Sequence, residues 1–159
     1  MGIESEFRRE VRSHLNKLDS ELVPVLRKLI AHEYPEDVFV VAFEVFYDGF
    51  SSGFPARAFF LDEDNSEFFV FVDGEAQYPS AVDPGLLSIE QVYPKELENR
   101  FSDLDENLDT YTAASLEFID WFSDRWDEAG GRNFSRLALT MIHDDTRAFD
   151  LKSKSWIEE

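Results

Sequence analysis

Asp103-Leu104-Asp105-Glu106-Asn107-Leu108-Asp109 has the D-x-D-x-N-x-D spacing of a calcium loop. Such a loop needs glycine at its sixth position, where the backbone turns sharply, and a bidentate glutamate at its twelfth. Leu108 and Ala114 stand there instead. The better reading is a solvated connector, with Asp109 near the cap of the helix that follows. His143-Asp144-Asp145 sets an imidazole beside two carboxylates, all competent metal ligands. Adjacent residues in a tight turn rarely converge on one ion, and aspartate is a standard turn former, so this run reads as a turn. His14 and His32 fall in the first helical region. No nucleophile elbow, phosphate loop, dinucleotide fingerprint or H-E-x-x-H occurs. With 34 acidic residues, carboxylate pairs arise by chance and carry no glycosidase signal. No enzyme is supported, and no cofactor or metal is expected.

Two surface features point to binding instead. Glu117, Asp120, Asp124, Asp127 and Glu128 share one side of a helical segment, close in sequence to Asp103, Asp105 and Asp109. They read either as a solvated face or as a docking face for a cationic partner. On both readings the side chains face solvent, so reversing the charge of Asp120, Asp124 and Asp127 is expected to leave the fold intact. Phe50 and Phe54 punctuate a glycine-containing loop, where aromatics act as binding anchors or fold back as core plugs.

The overall charge narrows the partner. Fifteen Lys and Arg against 34 Asp and Glu leave a net charge of −19. Phosphate backbones and anionic membrane surfaces repel such a chain, so neither nucleic acid nor membrane is expected as a partner. A basic protein is favoured. No cysteine is present, the opening MGIESEFRREV is charged where a signal peptide is apolar, and no run approaches a membrane span. These features predict a soluble, cytoplasmic protein.

The elements that must position these residues are legible from periodicity. Ile3, Phe7, Val11, Leu15, Leu18, Leu22, Leu26 and Leu29 recur at helical spacing. They form one helix kinked at Pro24, which lies on the solvent side, or two helices broken near Asp19-Ser20. Val38–Tyr47 is β-branched and aromatic, a central strand with Glu44 at a partly wet position. Ala56–Leu61 and Glu67–Val72 extend it into an antiparallel meander. After an irregular stretch over 73–93, Pro94–Asp103 reads as a short helix and Thr110–Ala129 as an amphipathic one, stopped by Gly130-Gly131. Arg136–His143 and Thr146–Leu151 make a closing hairpin. The fold class is α+β: a single domain over 1–159, with an antiparallel sheet of about five strands and the N-terminal and acidic helices on one face. The predicted core is Phe7, Leu15, Leu22, Leu29, Val41, Phe43, Val45, Phe60, Phe69, Phe118, Phe122, Leu139 and Met141.

The run from Phe118 through Trp126, then Gly130-Gly131, Phe134–Ile142 and Thr146–Leu151, resembles the YezG-like family of bacterial immunity (antitoxin) proteins. The resemblance implies a small inhibitor that binds and neutralises a cognate toxin, commonly nuclease-like and basic. An acidic inhibitor would be steered toward a basic cleft, which agrees with the charge argument. The alternatives are a general protein-interaction or regulatory module and, third, a metal-dependent protein using the Asp-rich segments.

Overall fold

The N-terminal apolar stripe forms two helices, α1 (Ile3–Asn16) and α2 (Asp19–Ala31), in a computed structural model that describes residues 2–46, 49–72, 74, 76–78 and 86–158. The break falls at Lys17-Leu18, whose N–H groups donate back to the His14 and Leu15 carbonyls in a tightened turn. Pro24 lies inside α2 on its exposed side, as the phase of the stripe requires. The stripe is buried: Phe7, Val11, Leu15, Leu22 and Leu26 have no solvent exposure.

The main sheet has six strands: β1 (Val40–Val45), β2 (Ala56–Leu61), β3 (Glu67–Phe68), β6 (Leu137–Ile142), β7 (Arg147–Asp150) and β8 (Ser155–Glu158). Their order is β3-β2-β1-β6-β7-β8, two antiparallel meanders joined at the centre by β1 and β6. That central pair is parallel, with Val40 opposite Leu137 and Glu44 opposite Met141. The α+β class holds and the sheet is mostly antiparallel as expected, with six strands in place of about five and one parallel junction. The reason is topological: β6 returns to the sheet after α3 (Lys95–Leu104) and α4 (Thr110–Glu128), the crossover a parallel pair needs. A separate hairpin pairs β4 (Val70–Val72) with β5 (Ala76–Tyr78).

Residues 67–72 are thus not one strand. The chain leaves the main sheet after Phe68, which pairs with Phe60, and enters the small one at Val70. Phe69, at the switch, is 58% exposed, so its predicted core position is corrected. The expected last residue of the first strand, Tyr47, and the 79–85 part of the irregular stretch lie outside the described residues. The ends of that stretch are pinned by their own side chains, because Tyr78, Leu86, Leu87, Val92 and Tyr93 are buried.

The core lies between the sheet and the four helices. Phe43 meets Phe122 at 4.8 Å and Trp126 at 5.5 Å between ring centroids, edge-on or tilted as ring quadrupoles prefer. Gly130 closes α4 with φ of +101°. Gly131 packs under Trp126, where a Cβ would come within 2.2 Å of the indole nitrogen.

Candidate functional site

The acidic side of α4 is met by the chain's own cations. α1 lies along α4 and presents Arg8 and Arg12 one turn apart. Glu117, only 12% exposed, accepts hydrogen bonds from Arg8 at 3.0 Å and from Arg12 at 2.6 Å. Arg8 also reaches Asp120 at 2.9 Å, and Arg12 reaches Asp124. Further along, Asp127 holds Lys154 at 3.0 Å and Arg132 at 3.5 Å, while Glu128 sits 3.5 Å from Arg125. Arg125 in turn grips Asp19 at 2.6 Å, beside the Trp121 indole N–H at 2.7 Å, which ties α2 to α4. Asp120, Asp124 and Glu128 keep about half of their surface, yet each has an ion-pair partner. The premise that Asp120, Asp124 and Asp127 simply face solvent is corrected, because these carboxylates pair with cations of α1 and of the β7–β8 turn.

The other predicted site residues take structural places too. Asp103 is exposed on α3, and Asp105 accepts the Asn107 N–H at 3.0 Å. Asp109 caps α4, taking the Thr112 N–H at 3.0 Å and the Thr112 hydroxyl at 2.7 Å. Those bonds, the backbone one foremost, hold its carboxyl below the usual range. Among the described residues no three His, Asp or Glu side chains gather into a group that could hold a metal ion. Phe50 has no exposure and Phe54 only 5%; both pack on Phe118, at 5.9 Å and 5.4 Å. They are core plugs, and the anchor role set out for them is corrected. A loop this rich in glycine folds inward because Phe50 finds the aromatic pocket of Tyr93 and Phe118.

The face of the sheet away from the helices was missed. Strand register places Val40, Ala42, Phe59, Leu61, Leu137, Leu139 and Met141 on it, with Ala148 and Ile157 beyond. Val40, Ala42, Leu139 and Ala148 form a second apolar cluster flanked by Phe59, Leu61 and Met141, and no helix residue belongs to it. Leu139 and Met141 therefore pack here, not in the helix-side core. Leu137 and Ile157 remain exposed, and Phe39, next to the β2 end through its N–H bond to Leu61, is 53% exposed. β1, β2 and β6 are mostly apolar on both sides, interrupted at Glu44, Arg57 and Thr140, and that two-sided pattern is the signal of the face in the sequence.

The two ends of this face differ. At one, Glu44 accepts from His143 at 2.7 Å, Arg57 lies opposite Glu44, and Phe46 stacks between Arg57 and His143. The bond to Glu44 raises the His143 pKa above the usual histidine value. Beyond the other end of β2, Glu36, Asp37, Asp62, Glu63 and Asp64 with Phe68 line a hollow of about 550 Å³, and because Phe68 pairs with the core residue Phe60 this hollow adjoins the helix side of the sheet. None of these five carboxylates has an ion-pair partner among the described residues. Asp62 is occupied in its turn, accepting from the Asp64 and Ser66 N–H groups at 2.8 Å.

No helix among the described residues is long and apolar enough to cross a membrane. No family model matches the chain, no curated protein matches it, and no solved structure matches it.

Proposed function

We propose that the protein is an acidic binding protein of the cytoplasm that acts by docking onto a basic protein. Its specific form is an immunity-type inhibitor that neutralises a nuclease-like bacterial toxin. One observation carries the reading: among the described residues no helix packs on the second face of the six-stranded sheet, whose centre is the apolar cluster of Val40, Ala42, Leu139 and Ala148. Leu137 and Ile157, each 36% exposed, and the partly buried Phe59, Leu61 and Met141 give this face an apolar rim that a partner could cover. A chain carrying −19 selects that partner by charge, since a basic protein is attracted at long range and an acidic one is repelled. The resemblance of residues 118–151 to immunity proteins supplies the toxin as the partner's identity.

The test mixes the purified chain with the basic protein encoded beside its gene and follows both binding and that protein's activity. The expected result is a stoichiometric complex, loss of the partner's activity, and an association rate that falls steeply with ionic strength. No complex at micromolar concentrations in low salt would refute the reading. Binding without loss of activity would remove the inhibitor form and leave an interaction module.

A further inference from the structure

We infer that residues 67–72 form an open strand edge that binds an extended segment of a basic partner, one with apolar side chains at two alternate positions and a Lys or Arg at the next. The inference rests on the binding reading above and names a contact of that partner apart from the open sheet face.

The chain runs through two sheets here: Glu67-Phe68 in β3 pairs with β2, and Val70–Val72 in β4 pairs with β5. Both neighbours lie on the same side of it. Phe60 of β2 is the partner of Phe68, Tyr78 of β5 is the partner of Val70, and the Phe60 and Tyr78 rings meet at 6.1 Å. Were 67–72 to run between β2 and β5, those strands would stand two spacings apart, roughly 9–10 Å, yet they touch. The outer side of the segment pairs with no strand among the described residues. A row of backbone groups without a sheet partner is a template for an added strand.

The side chains of this edge invite such a strand. Phe68, Val70 and Val72 turn inward, with Val70 and Val72 in the core. Glu67, Phe69 and Phe71 turn outward, the two rings 58% and 59% exposed. Edges that refuse a strand carry Lys, Pro or a bulge, whereas two exposed aromatics stand here at alternate positions. The buried inward half mounts the segment before any partner arrives, so little freedom is lost when the outer half is covered. The β8 edge is less suited, because Arg147 lies over Trp156 at 4.7 Å and Ile157 is only 36% exposed.

Charge selects the occupant. Between Arg57 and Lys95 the chain has no Lys or Arg, while Asp62, Glu63, Asp64 and Glu67 precede the two rings in sequence and Asp73 and Glu75 follow them. A second copy of this edge therefore brings acid against acid, and like charges set opposite each other oppose pairing. A basic strand meets no such opposition. Its alternate side chains fall on the outer side of the edge, two apolar ones beside Phe69 and Phe71 and a cation beside Glu67.

The experiment titrates the isotope-labelled full chain, at low salt, with a short peptide in which two isoleucines and a lysine alternate with threonines. A peptide of the same residues in an order that breaks the alternation serves as the comparison. Backbone shift changes should gather at 67–72, and amide exchange there should slow. The alternating peptide should bind about tenfold tighter, from two cross-strand apolar pairs, and the double variant Phe69→Ala, Phe71→Ala should remove that advantage. Glu67→Gln should weaken the alternating peptide several-fold and flatten its salt dependence. Both rings are more than half exposed, so the double variant should keep the wild-type far-ultraviolet spectrum, which verifies its fold. Equal affinity of the two peptides, shift changes gathered at 40–42 and 137–141, or failure of both to bind at millimolar concentration would overturn the inference. The binding reading is judged apart from it, by the complex with the basic protein encoded beside the gene. A complex that the double variant forms as tightly as wild type overturns the inference alone, and no complex with wild type overturns both. A concentration-dependent dimer in sedimentation, abolished by the double variant, would overturn the inference in favour of self-pairing.

Discussion

Replacing Glu117 separates the stabilising use of acidity from any recognition role. Its carboxylate is 12% exposed and accepts from two guanidinium groups that are 27% and 28% exposed. Exposed ion pairs contribute roughly 0.2–1 kcal/mol, while breaking a fully buried pair costs roughly 3–5 kcal/mol. A half-buried carboxylate with two charge-assisted bonds falls between, so Glu117→Ala should cost about 2–3 kcal/mol. For a chain of this length each 1 kcal/mol moves Tm by roughly 2–4 °C, which predicts a fall of about 5–10 °C. Glu117→Gln keeps one acceptor oxygen and the volume but loses the charge, and should cost about half as much.

Urea and thermal unfolding of both variants measure these losses. A double-mutant cycle with Arg12→Gln isolates the pair, with an expected coupling of about 1 kcal/mol. The same cycle on Arg8 and Asp120 should give less, because Asp120 keeps 58% of its side-chain surface and its attraction is screened by water. Raising the salt to about 1 M, where the Debye length is about 3 Å, should reduce both couplings. Losses under about 0.5 kcal/mol in both Glu117 variants, with a coupling of zero, would show that α1 and α4 are joined by their apolar contacts alone.

Charge reversal of Asp120, Asp124 and Asp127 together should lower stability by about 2–4 kcal/mol in urea unfolding, because it sets cations against Arg8, Arg12 and Lys154. Phe50→Ala should cost roughly 3–5 kcal/mol, and a measured loss below about 1 kcal/mol would contradict its placement among Tyr93 and Phe118. Gly131→Ala should cost about 1–3 kcal/mol and alter the near-ultraviolet signal of Trp126, since the added methyl must displace the indole. His143→Gln tests the pair with Glu44 by pH. The folded pKa is raised above 6.5, so the stabilisation is fully present below about pH 6.5 and is lost as pH rises through the folded value. The difference in Tm between wild type and variant should therefore appear in acid and vanish in alkali, with Glu44, Asp144 and Arg57 as the charged groups facing the ring.

Periodicity exposed most of the fold because long elements average over many residues. The α1–α2 stripe repeats eight times at helical spacing, and α4 shows both its apolar face and its Gly130 stop. Short elements lack that averaging. β8 is four residues long and is held in the β7–β8 hairpin by Trp156 against Phe149 at 5.4 Å, too short a run to show a period of its own. Phe69 looked like core because its neighbours alternate correctly, but the chain changes sheets beneath it. The acidic side of α4 was legible as a stripe, while its occupant was not. One helix's period does not say which helix lies alongside it. The missing clue was Arg8 and Arg12, spaced one turn apart to match Glu117, Asp120 and Asp124. The open face has no separate signal, since a strand apolar on both sides looks the same whether a helix or a partner covers it.

The two populations of carboxylates divide the work of the negative charge. Those on α4 sit against cations of the same chain, so each pair is close to neutral as seen from a distance and contributes little to the field that a partner meets. Glu36, Asp37, Glu63 and Asp64 have no ion pair among the described residues, and their field extends about a Debye length, roughly 8 Å at physiological ionic strength. The densest acidic stripe in the sequence, on α4, is therefore not where the unoffset charge lies. Substitutions at Glu117, Asp120 or Asp124 should then change stability and leave association rates nearly constant. Substitutions at Glu36, Asp37 or Glu63 should do the reverse, since exposed residues without partners cost little when replaced. A partner that met the α4 stripe would have to displace Arg8 and Arg12 from carboxylates they already hold, an exchange of one ion pair for another with little net gain. One that met the open sheet face would cover the apolar side chains at its rim without displacing the α4 ion pairs, and that asymmetry favours the strands as the docking side.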